Sequence, residues 1–335
     1  MTIFSGIFSN TIIIILTFLI LLILVYLFSS FEKGNLDEFL ILLLLVYLFS
    51  SFEKGNLEEF RQGSEYEFAK LSQGTTAYKD IGDKNDPAII VVHGATLPSE
   101  GFIGFCSGLS AKGYRVICYD QYGRGYSDRP ITNYDMQLYI DQLRELLDFL
   151  SIKEAILYGS SMGAPIAINF SNKYKERILA IGLQVPLVHS NSKVLDLIKV
   201  PVVGNLFLRT FGIPFAKNRA EQWAHENEGQ KDFINRYIAQ LSLPGTEYSL
   251  LSSIRHIANK DFLPDYKIFS ESNIPIHIAY ASDDDEIDPK TVKKVLSLLP
   301  DADTFIFTGG HGGGGIIVNE LTDLFSDFLS KRLDQ

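Results

Sequence analysis

Cysteine is almost missing from this chain: there are two in 335 residues, Cys106 and Cys118. Two thiols cannot build a disulfide framework, and the absence of any CxxC pair or Cys/His cluster leaves no metal-binding pattern. One falls in an expected helix and the other in an expected buried strand, so both read as small core hydrophobes. No block of basic residues occurs either. The net charge is −10 and the pI near 5.1, which argues against nucleic acid as a partner. Charge of either sign is missing from Thr2 to Phe31.

That uncharged stretch holds TIIIILTFLILLILVYLF (11–28), and about 20 apolar residues span a bilayer core. A cleaved signal peptide would need a basic n-region and an A-x-A site, and neither is present. The expectation is therefore a membrane protein with a single-pass N-terminal anchor. Its side of the membrane is unreadable, because Lys33 is surrounded by Glu32, Asp37 and Glu38. LLILVYLFSSFEKGNLDEF (21–39) is followed 21 residues later by LLLLVYLFSSFEKGNLEEF (42–60). One pair of copies is not a solenoid; it reads as a tandem duplication beside the membrane, without chemistry of its own.

From residue 64 onward, short apolar runs alternate with helical stretches. EYEFAKL (65–71) and TTAYKDIG (75–82) read as a leading hairpin. AIIVVHG (88–94), YRVICYD (114–120), EAILYG (154–159), ILAIGLQVPLV (178–188), IPIHIAYAS (274–282) and TFIFTG (304–309) read as strands. Unbroken apolar runs of this length suit strands covered on both faces. Between them lie helices near 101–112, 136–152, 163–174, 289–299 and 317–333. The alternation predicts an α/β fold with a mostly parallel sheet and helices on both faces. Only the interval 189–272 breaks it. It contains the apolar stretch VLDLIKVPVVGNLFLRTFGIPF (194–215) and reads as a helical lid at the carboxyl end of a strand, over the ligand crevice. The expected organisation is an anchor over 1–60, a first core part over 61–188, a lid over 189–272 and a second core part over 273–335.

The chemistry centres on ILYGSSMGAP (156–165). The frame G-x-S-x-G fits once, from Gly159 to Gly163, and its centre is Ser161 rather than Ser160. A strand enters this frame and a small-residue helix leaves it, so the turn must be sharp and must push the central side chain into the cleft. A serine hydroxyl needs a base and a carboxylate that orients the base. Of the six histidines, His93 follows a strand beside potential backbone donors and His277 alternates within one. His189, His225 and His256 lie in or beside the insertion. His311, in FTGGHGGGG, follows the last strand and is the candidate base. The acid comes from SDDDEIDP, which supplies Asp283, Asp284, Asp285, Glu286 and Asp288.

Together, GSSMG, HGA (93–95), DQYGRGYSDRP (120–130) and the order Ser…Asp…His resemble the α/β-hydrolase fold family. That family commonly places its acid four residues before a helix-opening proline, which implies Asp285, counted back from Pro289. It also implies an oxyanion hole formed by the backbone N–H groups of Ala95 and Met162, the latter at a helix N-terminus that favours negative charge. The anchor, HGA, SMG and the apolar lid resemble membrane-anchored monoacylglycerol lipases or carboxylesterases. The expected activity is a serine hydrolase that cleaves carboxylic esters of lipid-like substrates through an acyl-enzyme, with no cofactor or metal. A carbon–carbon bond hydrolase acting on a small dione would use the same three residues. A catalytically inactive hydrolase fold used for binding is the remaining reading.

Overall fold

The structure, a computed structural model, describes residues 53–189, 198–200, 203–226, 231–258 and 260–333. All of them belong to one compact unit, Phe52–Gln335. In AIIVV, which forms β3 (Ala88–Val92), every residue is buried. Because side chains alternate along a strand, Ile90 and Val92 enter one core and Ile89 and Val91 the other. β4 (Arg115–Tyr119), β5 (Ala155–Ser160) and β7 (Ile276–Ala281) are likewise buried throughout. With β6 (Ile178–Gln184) and β8 (Asp303–Phe307) they extend one sheet.

A hairpin of β1 (Glu67–Leu71) and β2 (Gly74–Ile81) completes the eight strands, in the order β1-β2-β4-β3-β5-β6-β7-β8. β1 pairs antiparallel with β2, and β2 antiparallel with β4; every pairing from β4 through β8 is parallel. Ile90 stands opposite Ile117 on one side and Leu157 on the other. The order reverses at β3, whose neighbours are β4 and β5. The carboxyl ends of β3 and β5 therefore open onto a switch-point crevice, where ligands bind in doubly wound sheets.

Helices cover both faces. α1 is the short Leu57–Arg61. α2 (Ile103–Ser110) and α11 (Val318–Leu333) pack on the face that includes Ile89, Val91 and Tyr158, with the Phe325 ring edge-on to Tyr158 and stacked on Phe328. Cys106 and Cys118, both buried free thiols, belong to the same core. On the opposite face, α3 (Met136–Phe149) buries Leu138, Tyr139, Leu143, Leu146 and Leu147, and Asp135 caps its start by accepting from the Leu138 N–H at 3.0 Å. α4 (Gly163–Lys173), α9 (Leu263–Phe269) and α10 (Pro289–Leu298) share that face.

Between β6 and β7 lie α5 (Val203–Phe207), α6 (Ile213–Glu226), α7 (Lys231–Gln240) and α8 (Thr246–Ser253). Ile198, Leu208, Ile213, Leu241, Leu250 and Leu251 form a small core of their own there. Apolar residues of the 194–215 stretch are thus buried against neighbouring helices of the same segment.

Among the described residues no helix is long and apolar enough to cross a membrane. This overturns the expectation of a single-pass membrane location. The run 11–28 on which it rested, and the first copy of the duplication, lie outside the described residues. The end of the second copy is described, and it packs on the globular unit. Asn56 caps α1, the Glu53 carboxylate accepts from the Glu247 N–H at 2.8 Å, and Phe60 stacks on Tyr126 with ring centroids 4.7 Å apart.

α4 crosses β3 so closely that a Cβ on Gly163 would overlap the Val92 carbonyl oxygen, a backbone atom that cannot swing aside. Gly163→Ala is expected to destabilise the fold by about 3 kcal/mol, at the upper end for overpacking. Urea unfolding followed by circular dichroism checks this; an unchanged midpoint would contradict the packing described.

Candidate active site

Ser161 stands between the last residue of β5 and the start of α4, with φ of +51°. A left-handed backbone at a residue with a Cβ costs on the order of 1–3 kcal/mol, so the surroundings must hold it. They do so from three sides. The Ser161 N–H donates to the Gln184 carbonyl at 2.9 Å, and its own carbonyl accepts from Ala164 at 3.0 Å and Leu187 at 3.1 Å. Gly159 and Gly163 make the turn possible: a Cβ on Gly159 would come within 2.6 Å of the Gly163 carbonyl oxygen. Ser160, by contrast, ends β5 as a buried strand residue opposite Gln184.

His311 lies on the loop after β8. Its Nε2 is 3.0 Å from Ser161 Oγ and its Nδ1 is 2.9 Å from Asp284 Oδ2. An ionised carboxylate can only accept, so Nδ1 carries the proton and Nε2 presents its lone pair to the serine hydroxyl. Ser161 and His311 are thus brought together, and the acid that meets them is Asp284, not Asp285. The reason is the turn after β7. Asp284 Oδ1 accepts from the N–H groups of Glu286 and Ile287, both at 2.9 Å, which turns Oδ2 inward; its side chain is only 4% exposed. Asp283 is committed elsewhere, accepting from Gly309 at 3.0 Å and Gly310 at 3.1 Å and so fixing the loop that carries His311. Asp285 is exposed.

Burial alone would lower the His311 pKa. The hydrogen bond to Asp284 and the charges of Glu286, Asp284 and Asp285 outweigh it and hold the imidazole above its ordinary value. Burial would likewise raise the Asp284 pKa, but the His311 contact and the two amides hold that carboxyl below its usual range.

The loop 93–95 runs beside the serine: a Cβ on Gly94 would sit 3.3 Å from Ser161 Cβ. Several buried groups shape this loop. His93 is fully buried, and burial first of all pushes its pKa down to about 3, so it is neutral. Its Nε2 accepts from the Gln121 N–H at 2.9 Å and its Nδ1–H donates to the Gly94 carbonyl at 2.8 Å. Asp120 accepts from the Ser99 N–H and hydroxyl and from the Tyr126 N–H, at 2.8–2.9 Å. The Arg124 guanidinium, 2% exposed, donates to the Ala95 carbonyl, to Ser249 Oγ at 3.1 Å and to Ser253 Oγ at 2.7 Å. The stretch 120–130 is therefore the foundation of the loop 93–95, and it ties that loop to α8. The sequence pattern over 120–130 does not by itself assign Arg124 or Asp120 this work; the signal it carries is a charged residue inside an otherwise buried turn. Met162 precedes α4 at its N-terminus. Among the described residues neither the Ala95 nor the Met162 N–H has a backbone acceptor.

The other histidines stay out of the constellation. His277 is buried in β7 with Nδ1 2.6 Å from Asp303 Oδ2, His189 bridges to Asp261, and His256 Nδ1 donates to the Ser252 carbonyl at 2.8 Å. The side chain of His225 lies outside the described residues. Among the described residues no group of three or more His, Cys, Asp or Glu converges as a metal site. The arrangement can deliver a serine oxygen to an electrophilic carbon, with the imidazole taking its proton.

The sequence pattern of the alpha/beta hydrolase fold matches residues 87–313. A 2-hydroxy-6-oxononadienedioate/2-hydroxy-6-oxononatrienedioate hydrolase from Burkholderia vietnamiensis is 28% identical over 251 residues, covering 69% of this chain and 82% of that protein. Among solved structures, the enol-lactonase from Burkholderia xenovorans superposes with a TM-score of 0.67 at 19% identity, over 79% of this chain and all of that one. A structure from work on carboxylesterases of the thaumarchaeon Nitrososphaera gargenis gives 0.66 at 20% identity, over 80% of this chain and 99% of that one.

His311 should titrate above the ordinary imidazole value of about 6.5, followed through its ring-proton NMR signals. Removing the Asp284 charge removes an attraction for the protonated ring, so Asp284→Asn should lower that pKa. Asp285→Asn, which keeps the hydrogen bond, should lower it less. Equal shifts in the two variants would place the partner wrongly.

Proposed function

The chain belongs to the alpha/beta hydrolase fold family, and from that premise we propose that it hydrolyses carboxylic esters through an acyl-enzyme formed on Ser161. The observation that carries the reading is the chain of contacts from Ser161 Oγ to His311 Nε2 at 3.0 Å and from His311 Nδ1 to Asp284 at 2.9 Å. In the first half-reaction Ser161 Oγ attacks the ester carbonyl carbon while His311 Nε2 takes its proton. The oxyanion faces the N–H groups of Ala95 and Met162, and Asp284 stabilises the imidazolium. Collapse breaks the carbon–oxygen bond of the leaving alcohol, which receives the proton from Nε2. In the second half, water repeats the sequence and releases the acid.

A lipid-like, monoacyl substrate is the finer form of the proposal. Its support is the apolar character of 194–215, weakened by the burial of Ile198, Leu208 and Ile213 in that segment's own core. A carbon–carbon hydrolase acting on a small dione is the second reading, favoured by the likeness to the Burkholderia vietnamiensis hydrolase.

Ser161→Ala should lower kcat on 4-nitrophenyl acetate by several orders of magnitude, leaving only what the oxyanion donors and binding supply. Asp284→Asn should lower it by about 10⁴, the cost of losing the orienting carboxylate. Ser160→Ala and Asp285→Asn should each cost less than about tenfold. If Asp285→Asn proved the more damaging of the two aspartate variants, the assignment of the acid would be lost.

A further inference from the structure

Glu286 transfers no proton in the proposed reaction, yet its carboxylate faces the reacting end of the imidazole. Its Oε2 is 3.9 Å from His311 Nε2, the nitrogen that also contacts Ser161 Oγ at 3.0 Å. That places the carboxylate within about 7 Å of the nucleophile, a distance at which charge is felt even through a wet cleft. Of the other three carboxylates in this region, Asp284 contacts Nδ1, Asp283 accepts from the amides of Gly309 and Gly310, and the exposed Asp285 lies against Gly310 on the loop that carries His311, while the charge against Nε2 is that of Glu286. Glu286 itself is half-exposed, at 48%, and so stands at the rim instead of beneath the imidazole. Arg124, a buried cation beside the loop 93–95, donates to the neutral oxygens of Ala95, Ser249 and Ser253.

We propose that Glu286 is a specificity residue of this site, and that it selects substrates whose leaving group is neutral or cationic and rejects those whose leaving group carries a carboxylate. The inference rests on the serine hydrolase reading above. In that reaction Nε2 hands its proton to the leaving oxygen, so the leaving group must occupy the space next to Nε2, which is where Glu286 presents its charge. A negative leaving group there meets a like charge at short range, and like charges brought together discriminate against the wrong partner. A positive one is attracted. The same carboxylate attracts the imidazolium formed during attack, so its presence is compatible with turnover of neutral esters. It also bears on the dione reading, because a substrate with carboxylates on both sides of the cleaved bond would bring one of them against Glu286.

The test compares two acetate esters of nearly equal shape, 3-acetoxybenzamide and 3-acetoxybenzoate, in the full-length protein and in Glu286→Gln. Each kcat/KM is divided by the rate of hydroxide-catalysed hydrolysis of the same ester. The wild-type protein should prefer the amide roughly tenfold, which is about what one charge at this distance supplies after partial screening by water. The preference should shrink in 1 M KCl. In Glu286→Gln it should fall to about twofold or less, read as a ratio within each enzyme so that changes in absolute rate do not matter. A preference unchanged by Glu286→Gln would overturn the role of Glu286 while leaving the hydrolase reading intact. Absence of turnover for both esters, with no labelling of Ser161 by a fluorophosphonate, would instead remove the hydrolase reading and this proposal with it.

Discussion

The site depends on one strained residue. Ser161 is held at a φ of +51° in the step from β5 to α4, and everything around it either permits or enforces that step. Gly159 and Gly163 remove the side chains that would block it, and Gly163 lets α4 lie against the Val92 carbonyl. The Ser161 N–H donates to the Gln184 carbonyl, and the Ser161 carbonyl accepts from the N–H groups of Leu187 and Ala164. The strain is thus offset by three backbone hydrogen bonds, each worth on the order of 1 kcal/mol. The result is a hydroxyl projected from the switch point of the sheet, where loops from β3, β7 and β8 converge.

The second constraint is the arrangement of buried charge around that hydroxyl. Asp120 and Arg124 lie inside the protein without facing each other as an ion pair; each is satisfied by hydrogen bonds to loops. A buried charge that lost those partners would cost several kcal/mol, so the loops are fixed by the need to serve it. The loop 93–95 is held from beneath by Gln121 and from the side by Arg124, which also reaches Ser249 and Ser253 on α8. The segment between β6 and β7 is therefore fastened to the loop beside the serine as well as placed near it.

Much of this was legible in the sequence. Each run read as a strand after residue 64 lies in a strand within a few residues of its expected limits; a run such as AIIVV has no polar face and is buried between two helical layers, whereas β8 at the sheet edge stays mostly exposed. The serine frame was legible because steric necessity leaves few residues that can make that turn. The acid was not. Asp283, Asp284 and Asp285 are chemically identical neighbours, and counting back from Pro289 measures distance along the chain, not the direction of a side chain. The direction is set by the amides of Glu286 and Ile287, which bind one oxygen of Asp284 and rotate the other toward His311. The apolar N-terminal run 11–28 lies outside the described residues, which contain no helix long and apolar enough to cross a membrane. The apolar stretch over 194–215 is ambiguous, since a helical segment that needs its own small core looks from sequence like one that offers a surface.

The central claim is that the strained serine becomes covalently acylated. Rapid mixing of the full-length protein with excess 4-nitrophenyl acetate, quenched in acid within the first turnover and analysed by mass spectrometry of peptides, tests it directly. The account predicts a burst of 4-nitrophenol near one equivalent of enzyme and a single acetyl group on the peptide that contains Ser161, absent from Ser161→Ala. Turnover without that adduct, or an acetyl group on Ser160, would contradict it.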